Sequence, residues 1–202
     1  MNFFKNIFKI NKQTNKTSSS GKDEKSSFMP KIETPTDNRF VQNFIKNGGK
    51  FLYSENENEV NKNLALIIEE NSWGKSSLFS LDKEILNRFN LDYSFSENSK
   101  DETMCLISTC EYLIADDGSI LISSNQVAEK KLSELPDDII ILAKTDQLIN
   151  NISEGLSGIK NNGTSIPSNI TNLKHFKDCN DKDFLSYGSS SKNLYLILLE
   201  NQ

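Results

Sequence analysis

Apolar positions along this chain of 202 residues recur with two periods, and the alternation between the two sets the fold class. Phe40, Val41, Phe44 and Ile45 share one helical face, with Thr36 or Asp37 as the expected N-cap and Gly48-Gly49 as the stop. Lys50–Ser54 reads as a strand. Asn58–Glu70 is the clearest helix, because Val60, Leu64, Ile67 and Ile68 fall on one face. Ser76–Leu81 predicts a strand and Asp82–Phe89 a short helix capped by Asp82. Leu91–Phe95 and Thr103–Ser108 predict two more strands. Tyr112–Ala115 and Ser119–Ser123 flank Asp116-Asp117-Gly118, a hairpin signal that predicts a type I′ turn with φ > 0 at both central residues. Asp138–Ala143 is a continuous apolar strand, as a sheet covered on both faces demands. Thr145 or Asp146 is then expected to cap a helix holding Leu148, Ile149, Ile152 and Leu156, and Asn193–Leu199 to close the sheet. Strands interleaved with helices define an α/β class, a layered, mostly parallel sheet flanked by helices.

Charge divides the chain. Residues 1–31 carry seven lysines against Asp23 and Glu24, while the remainder carries 16 cations against 26 acids. Such a break predicts a basic segment over 1–34 and an α/β domain over 35–202. In the basic segment, Phe3, Phe4, Ile7 and Phe8 form one face of a short helix flanked by Lys5, Lys9 and Lys12. Residues 3–12 therefore suit peripheral membrane or partner docking, or are a frayed terminus. Residues 11–27 hold no aliphatic side chain and are expected to stay disordered. Lysines interrupt the apolar stretch and no cleavage site follows, so it is not read as a secretory signal.

Composition removes several function classes. No apolar run reaches the roughly 18 residues of a membrane span. Only Arg39 and Arg88 supply guanidinium forks, which argues against nucleic acid as a partner. Cys105, Cys110 and Cys179 form no C-x-x-C, so neither an iron–sulfur module nor a zinc ribbon is expected, and no cofactor is implied. Sparse cysteine suits a reducing cytoplasm. The single histidine, His175, makes an H-x3-C pair with Cys179; two ligands do not make a structural zinc site, so no metal is expected. Cys105 sits in an apolar strand and reads as a small hydrophobe.

Two short stretches are candidate ligand sites. Asp116, Asp117, Gly118 and Ser119 form a tight turn that is either a plain hairpin or a rim presenting carboxylates and N–H groups to a ligand. Gly188, Ser189, Ser190, Ser191 and Lys192 form a small-residue loop before the last strand. That loop is either a turn or an anion-binding nest with Lys192 as counter-charge.

The segment Leu113–Ser124 (LIADDGSILISS), followed by Lys131–Leu142 (KLSELPDDIIIL), resembles the LUD-domain family, the lactate utilisation protein B/C group, and its C-type members most. The shared pattern is an Ile-Ala-acid turn with Gly-Ser, a strand, a polar loop, then Leu-Pro leading into an apolar strand. The resemblance covers roughly residues 36–200. It implies a fold similar to the NagB/RpiA/CoA-transferase group, Rossmann-like in layering. It also implies an accessory role in oxidising L-lactate to pyruvate beside iron–sulfur oxidoreductase subunits, with a small carboxylate as ligand. The family's Gly-Pro-Ser segment and its histidine loop are replaced here by residues 174–183 and 187–194. If those segments bind substrate or cofactor in the family, a member without them is expected to bind something else, or nothing. The alternative function is therefore a non-catalytic interaction or small-anion-sensing protein on a divergent LUD domain.

Overall fold

A computed structural model of the chain describes residues 34–73, 78–81, 83–88, 105–162, 166–174 and 192–201. The chain divides between Thr34 and Pro35, and the architecture below belongs to the unit that begins at Pro35. Residues 1–33, with the basic helix expected in them, and Leu91–Phe95 lie outside the described residues.

Helix α1 (Thr36–Lys46) buries Phe40, Val41 and Phe44, but leaves Ile45 on the surface. Its N-cap is Pro35 rather than Thr36 or Asp37. The Pro35 carbonyl accepts from Arg39 N–H at 3.0 Å, and Asp37 sits in the first turn, where its charge suits the helix dipole. Gly48, at φ 89°, ends the helix in the left-handed region that glycine enters without strain. Strand β1 (Lys50–Ser54) follows, then helix α2 (Glu57–Glu70). Asn56 caps α2 by accepting from Glu59 N–H at 3.1 Å, while the Glu59 carboxylate accepts from Glu55 N–H at 2.8 Å. The Asn56 cap starts the helix one residue before the periodicity alone predicts.

Strand β2 (Leu78–Phe79), helix α3 (Lys83–Arg88) and strand β3 (Cys105–Ser108) come next, with β6 (Asp138–Lys144) and β9 (Asn193–Leu199) later in the chain. These five strands form one all-parallel sheet in the order β1-β9-β6-β3-β2. The last strand of the chain thus lies inside the sheet, between the first strand and β6, rather than closing its edge.

Both faces of this sheet are covered, which explains the unbroken apolar runs. Cys105, Ile107, Ile140, Leu142, Tyr195 and Ile197 pack against Val60, Leu64 and Ile67 of α2 and Ile85 of α3. Between them in the strands, Leu106, Ile139, Ile141, Leu194, Leu196 and Leu198 point to the opposite face and are equally buried. Each such side chain contributes roughly 1.5–3 kcal/mol by leaving water.

A second sheet, order β7-β4-β5-β8, is built from β4 (Tyr112–Ile114), β5 (Ser119–Ser123), β7 (Leu148–Ile149) and β8 (Ile170–Leu173). Helix α1 contacts both β1 and this second sheet. Leu148 and Ile149 are therefore strand, not the start of a helix. Ala115 and Asp116 N–H groups donate to Ile149 and Asn150 carbonyls at 2.9 Å each, continuing the parallel pairing with β4. The helix begins later as α5 (Ile152–Asn162), where Asn151 accepts from Glu154 N–H at 3.0 Å. Ile152 and Leu156 are 41% and 43% exposed, so the expected face is not the buried one. Strand β8 had no apolar alternation to announce it.

The hairpin β4–β5 forms as predicted, but its turn does not. Ile114 pairs with Ser119, leaving four residues in the loop, and the Gly118 N–H donates to the Ile114 carbonyl at 2.9 Å. Within the loop only Gly118 has positive φ, at 69°, so the turn is not type I′.

Strand β5 runs into the short helix α4 (Ser124–Val127), which ends at Ala128 with φ 53° and ψ −140°. The Lys130 N–H donates to the Val127 carbonyl at 3.3 Å, making Ala128 the first central residue of a type II′ turn, a glycine position. Ala128 is exposed, so its methyl group earns little by packing. Ala128→Gly is expected to stabilise the protein by up to about 1 kcal/mol, as relieved strain outweighs added chain entropy. A thermal melt checks this, at roughly 2–4 °C per kcal/mol. A lowered midpoint would contradict it.

Candidate functional site

The acidic turn is built as a brace. Arg39, Asn43 and Asn47 follow one another at intervals of four residues, one face of α1 extended through its C-cap. Asn43 donates to the Ala115 and Asp116 carbonyls at 2.9 and 3.1 Å, and Asn47 to the Asp117 carbonyl at 2.7 Å. Arg39 lies 3.3 Å from the Asp116 carboxylate. Within the turn, Asp117 accepts from the Ser119 hydroxyl at 2.5 Å and the Ser119 N–H at 3.1 Å, and its other oxygen lies 3.5 Å from Lys174. Both carboxylates therefore have partners inside the chain.

Lys192 is 3% exposed. Its ammonium donates to the Leu135 carbonyl at 2.8 Å and lies 3.3 Å from Asp137. No hydrogen bond or ion pair among the described residues joins it to the acidic turn. Gly188, Ser189, Ser190, Ser191, His175 and Cys179 lie outside the described residues.

A concave site lies elsewhere among the described residues. A cleft of about 450 Å³ opens at the carboxyl ends of β3, β6 and β9. Its floor is apolar, formed by Val60, Ile85, Leu142 and Ile197, and its rim carries Arg88, Lys144, Thr109 and Asp146. A second lobe of about 370 Å³, at the turn between β1 and α2, shares Arg88, Lys144 and Leu199 with the first and adds Glu55, Glu57 and Glu200. Parallel β-strands place such crevices outside their carboxyl ends, where the connecting loops diverge.

Each rim group is positioned by the element that delivers it. Lys144 is the last residue of β6, and its N–H donates to the Gln147 side-chain oxygen at 2.7 Å. The Gln147 amide in turn donates to the Cys110 carbonyl at 2.6 Å, pinning the 3₁₀ turn Thr145–Gln147 to the residue after Thr109. Asp146 accepts from the Asn201 amide at 3.0 Å through one oxygen. Arg88, at the end of α3, pairs with Glu57 while both remain about half exposed, so the pair is weak and exchangeable. The Lys144 ammonium has no partner among the described residues.

Titration behaviour separates bystanders from candidates. Cys110 borders the cleft, yet burial pushes its thiol well up, with Glu111 adding to the effect. Burial does the same to Cys105. Neither is a thiolate nucleophile near neutrality. Burial, followed by its 2.5 Å hydrogen bond to Glu200, raises the Tyr53 hydroxyl above the usual phenol range. Among the described residues no group of three or more His, Cys, Asp or Glu side chains could hold a metal ion.

Sequence reasoning missed the cleft residues because none belongs to a motif. One signal was present. Lys144 and Thr109 are among the first polar residues at the ends of apolar strands, and parallel pairing turns those ends into one rim.

A layered α/β protein with a five-stranded parallel sheet and a polar-rimmed cleft at its strand ends is the class these features define. Residues 38–199 match the LUD domain family, and the chain belongs to it. No curated protein matches the sequence. A crystal structure of a DUF162 family protein from Deinococcus radiodurans is similar, with a TM-score of 0.58 at 14% identity, covering 82% of this chain and 96% of that one. At that identity the likeness concerns the fold alone. No helix among the described residues is long and apolar enough to cross a membrane.

Proposed function

We propose that this protein is an accessory component of L-lactate utilisation, acting in the cytoplasm beside iron–sulfur oxidoreductase subunits that carry the electrons. Membership of the LUD-domain family supports the pathway, and the Lys144 ammonium, which has no hydrogen-bond or ion-pair partner among the described residues, supports the ligand from the mouth of an apolar-floored cleft. In this reading the lactate carboxylate sits between Lys144 and Arg88. Its hydroxyl meets Thr109 or Asp146, and its methyl group rests on Leu142. Arg88 supplies a planar fork for a carboxylate and Lys144 a point charge. The chain binds and orients the acid, and its partners accept the electrons. The Asp116–Ser119 turn serves as the brace between α1 and the second sheet.

The test is reconstitution of lactate-dependent electron transfer with the iron–sulfur partners, with and without this chain and with Lys144→Met. The expected result is a faster rate with the chain and at least a tenfold higher lactate requirement with the variant. Equal rates with and without the chain would remove the pathway assignment and favour a non-catalytic interaction protein. An unchanged lactate requirement in Lys144→Met would remove the site assignment.

A further inference from the structure

The cleft is far larger than a lactate-sized anion needs. Cavities of roughly 300–1,000 Å³ hold drug-sized ligands, and the first lobe alone measures about 450 Å³. Its chemistry is graded with depth. Val60, Ile85 and Ile197 at the floor are 2%, 4% and 1% exposed, whereas Arg88 at the mouth is half exposed. Thr109 and Asp146 supply a hydroxyl and a carboxylate at the rim. Arg88 and Lys144 stand where the two lobes meet. An occupant that uses all of this has an apolar-faced body, hydroxyl groups and a terminal dianion.

We propose that the cleft binds a nucleoside monophosphate, with its base on the apolar floor, its ribose hydroxyls on Asp146 and Thr109, and its phosphate between Arg88 and Lys144. The Asp146 carboxylate holds Asn201 through one oxygen, leaving the other to accept a ribose hydroxyl, a role acidic side chains play at strand ends in other α/β proteins. Two cations at one mouth match the charge of a phosphate monoester better than that of a single carboxylate.

The second lobe sets the length of the ligand. Beyond the two shared cations it presents Glu55, Glu57 and Glu200, three acids against two cations. Further phosphates would extend into this like charge, so affinity falls from monophosphate to triphosphate. The inference rests on the assignment of the cleft as a ligand site but not on lactate chemistry. Because phosphate and carboxylate use the same cations, the two ligands compete.

Calorimetric titration of the full chain tests this, with adenosine monophosphate, adenosine triphosphate, adenosine, inorganic phosphate and L-lactate as separate probes. The expected result is saturable binding of the monophosphate, with adenosine and inorganic phosphate each at least tenfold weaker. The triphosphate should bind more weakly than the monophosphate. Lys144→Met should lose at least tenfold in monophosphate affinity while keeping its thermal midpoint, since its ammonium forms no hydrogen bond or ion pair among the described residues. Monophosphate binding no tighter than that of inorganic phosphate, triphosphate binding as tight as monophosphate, or a Lys144→Met protein with unchanged affinity would each overturn the proposal. Lactate binding without nucleotide binding would overturn this inference alone. Nucleotide binding that lactate cannot displace would leave it standing and count against the lactate site.

Discussion

Gly118→Ala is expected to destabilise the protein by roughly 3–5 kcal/mol, or to prevent folding altogether. A Cβ at this position would lie 2.3 Å from both the carbonyl carbon of Asn43 and the nitrogen of Phe44. Those are backbone atoms of α1, anchored by the fully buried Phe40 and Phe44, and they cannot yield as a flexible side chain can. The backbone at φ 69° adds about 1–2 kcal/mol for any residue with a Cβ. Relief comes only if the turn lifts from the helix, which breaks the bonds from Asn43 and Asn47 to three turn carbonyls. Urea denaturation measures the effect. Should the variant fail to fold, Asn47→Ala tests the same brace through the loss of one donor, about 1 kcal/mol. Asp116→Asn weakens only an exposed ion pair and is expected to cost less than about 1 kcal/mol. A Gly118→Ala protein within 1 kcal/mol of the parent would show that the turn is not held against α1.

Lys192→Met is expected to cost about 2–3 kcal/mol. The ammonium is buried and donates to the Leu135 carbonyl, and methionine fills the same volume while offering no donor. A hydrogen bond from a charged group contributes about 1.5–3 kcal/mol, and the carbonyl left behind has no water to turn to. The neighbouring Asp137 is 68% exposed, so solvent screens it and its ion pair adds little. A fall of roughly 2–4 °C in melting temperature per kcal/mol should accompany the change. The position also separates two roles for this lysine. It precedes the amino end of β9, whereas the cleft lies at the carboxyl ends of the strands. A structural role predicts lower stability with adenosine monophosphate affinity kept within twofold. A loss of affinity with stability unchanged would make Lys192 a ligand contact.

These two residues show how far a motif carries. Asp116-Asp117-Gly118-Ser119 and the Gly/Ser-rich loop ending in Lys192 drew attention because carboxylates, small residues and one cation cluster in sequence. The structure gives Asp116, Asp117 and Lys192 partners inside the chain. The glycine of the acidic turn is required by the close approach of α1, seventy residues earlier in the chain, which no local pattern encodes. The type I′ expectation failed for a related reason. In the structure β4 and β5 also pair with β7 and β8, and Ile114 meets Ser119, so four residues lie in the loop instead of the three between the expected strands.

By itself the sequence determined the elements whose period is strong: α1, α2, the hairpin strands, and the apolar strands β3, β6 and β9. It also determined the α/β class, because unbroken runs such as Ile139–Ala143 and Leu194–Leu198 are stable only when buried on both faces. The LUD-domain resemblance, carried by the turn and the Leu-Pro step, was legible for the same reason: it lies in contiguous residues. Tertiary structure alone decided the strand order, which inserts β9 between β1 and β6, and the division into two sheets. It also overruled the helical spacing of Leu148 and Ile149 by pairing them with β4. Above all it decided the cleft. Arg88, Thr109, Lys144 and Asp146 come from three separate segments and meet only because parallel strands end side by side. A ligand responds to that juxtaposition in space, and a local sequence pattern records only neighbours along the chain.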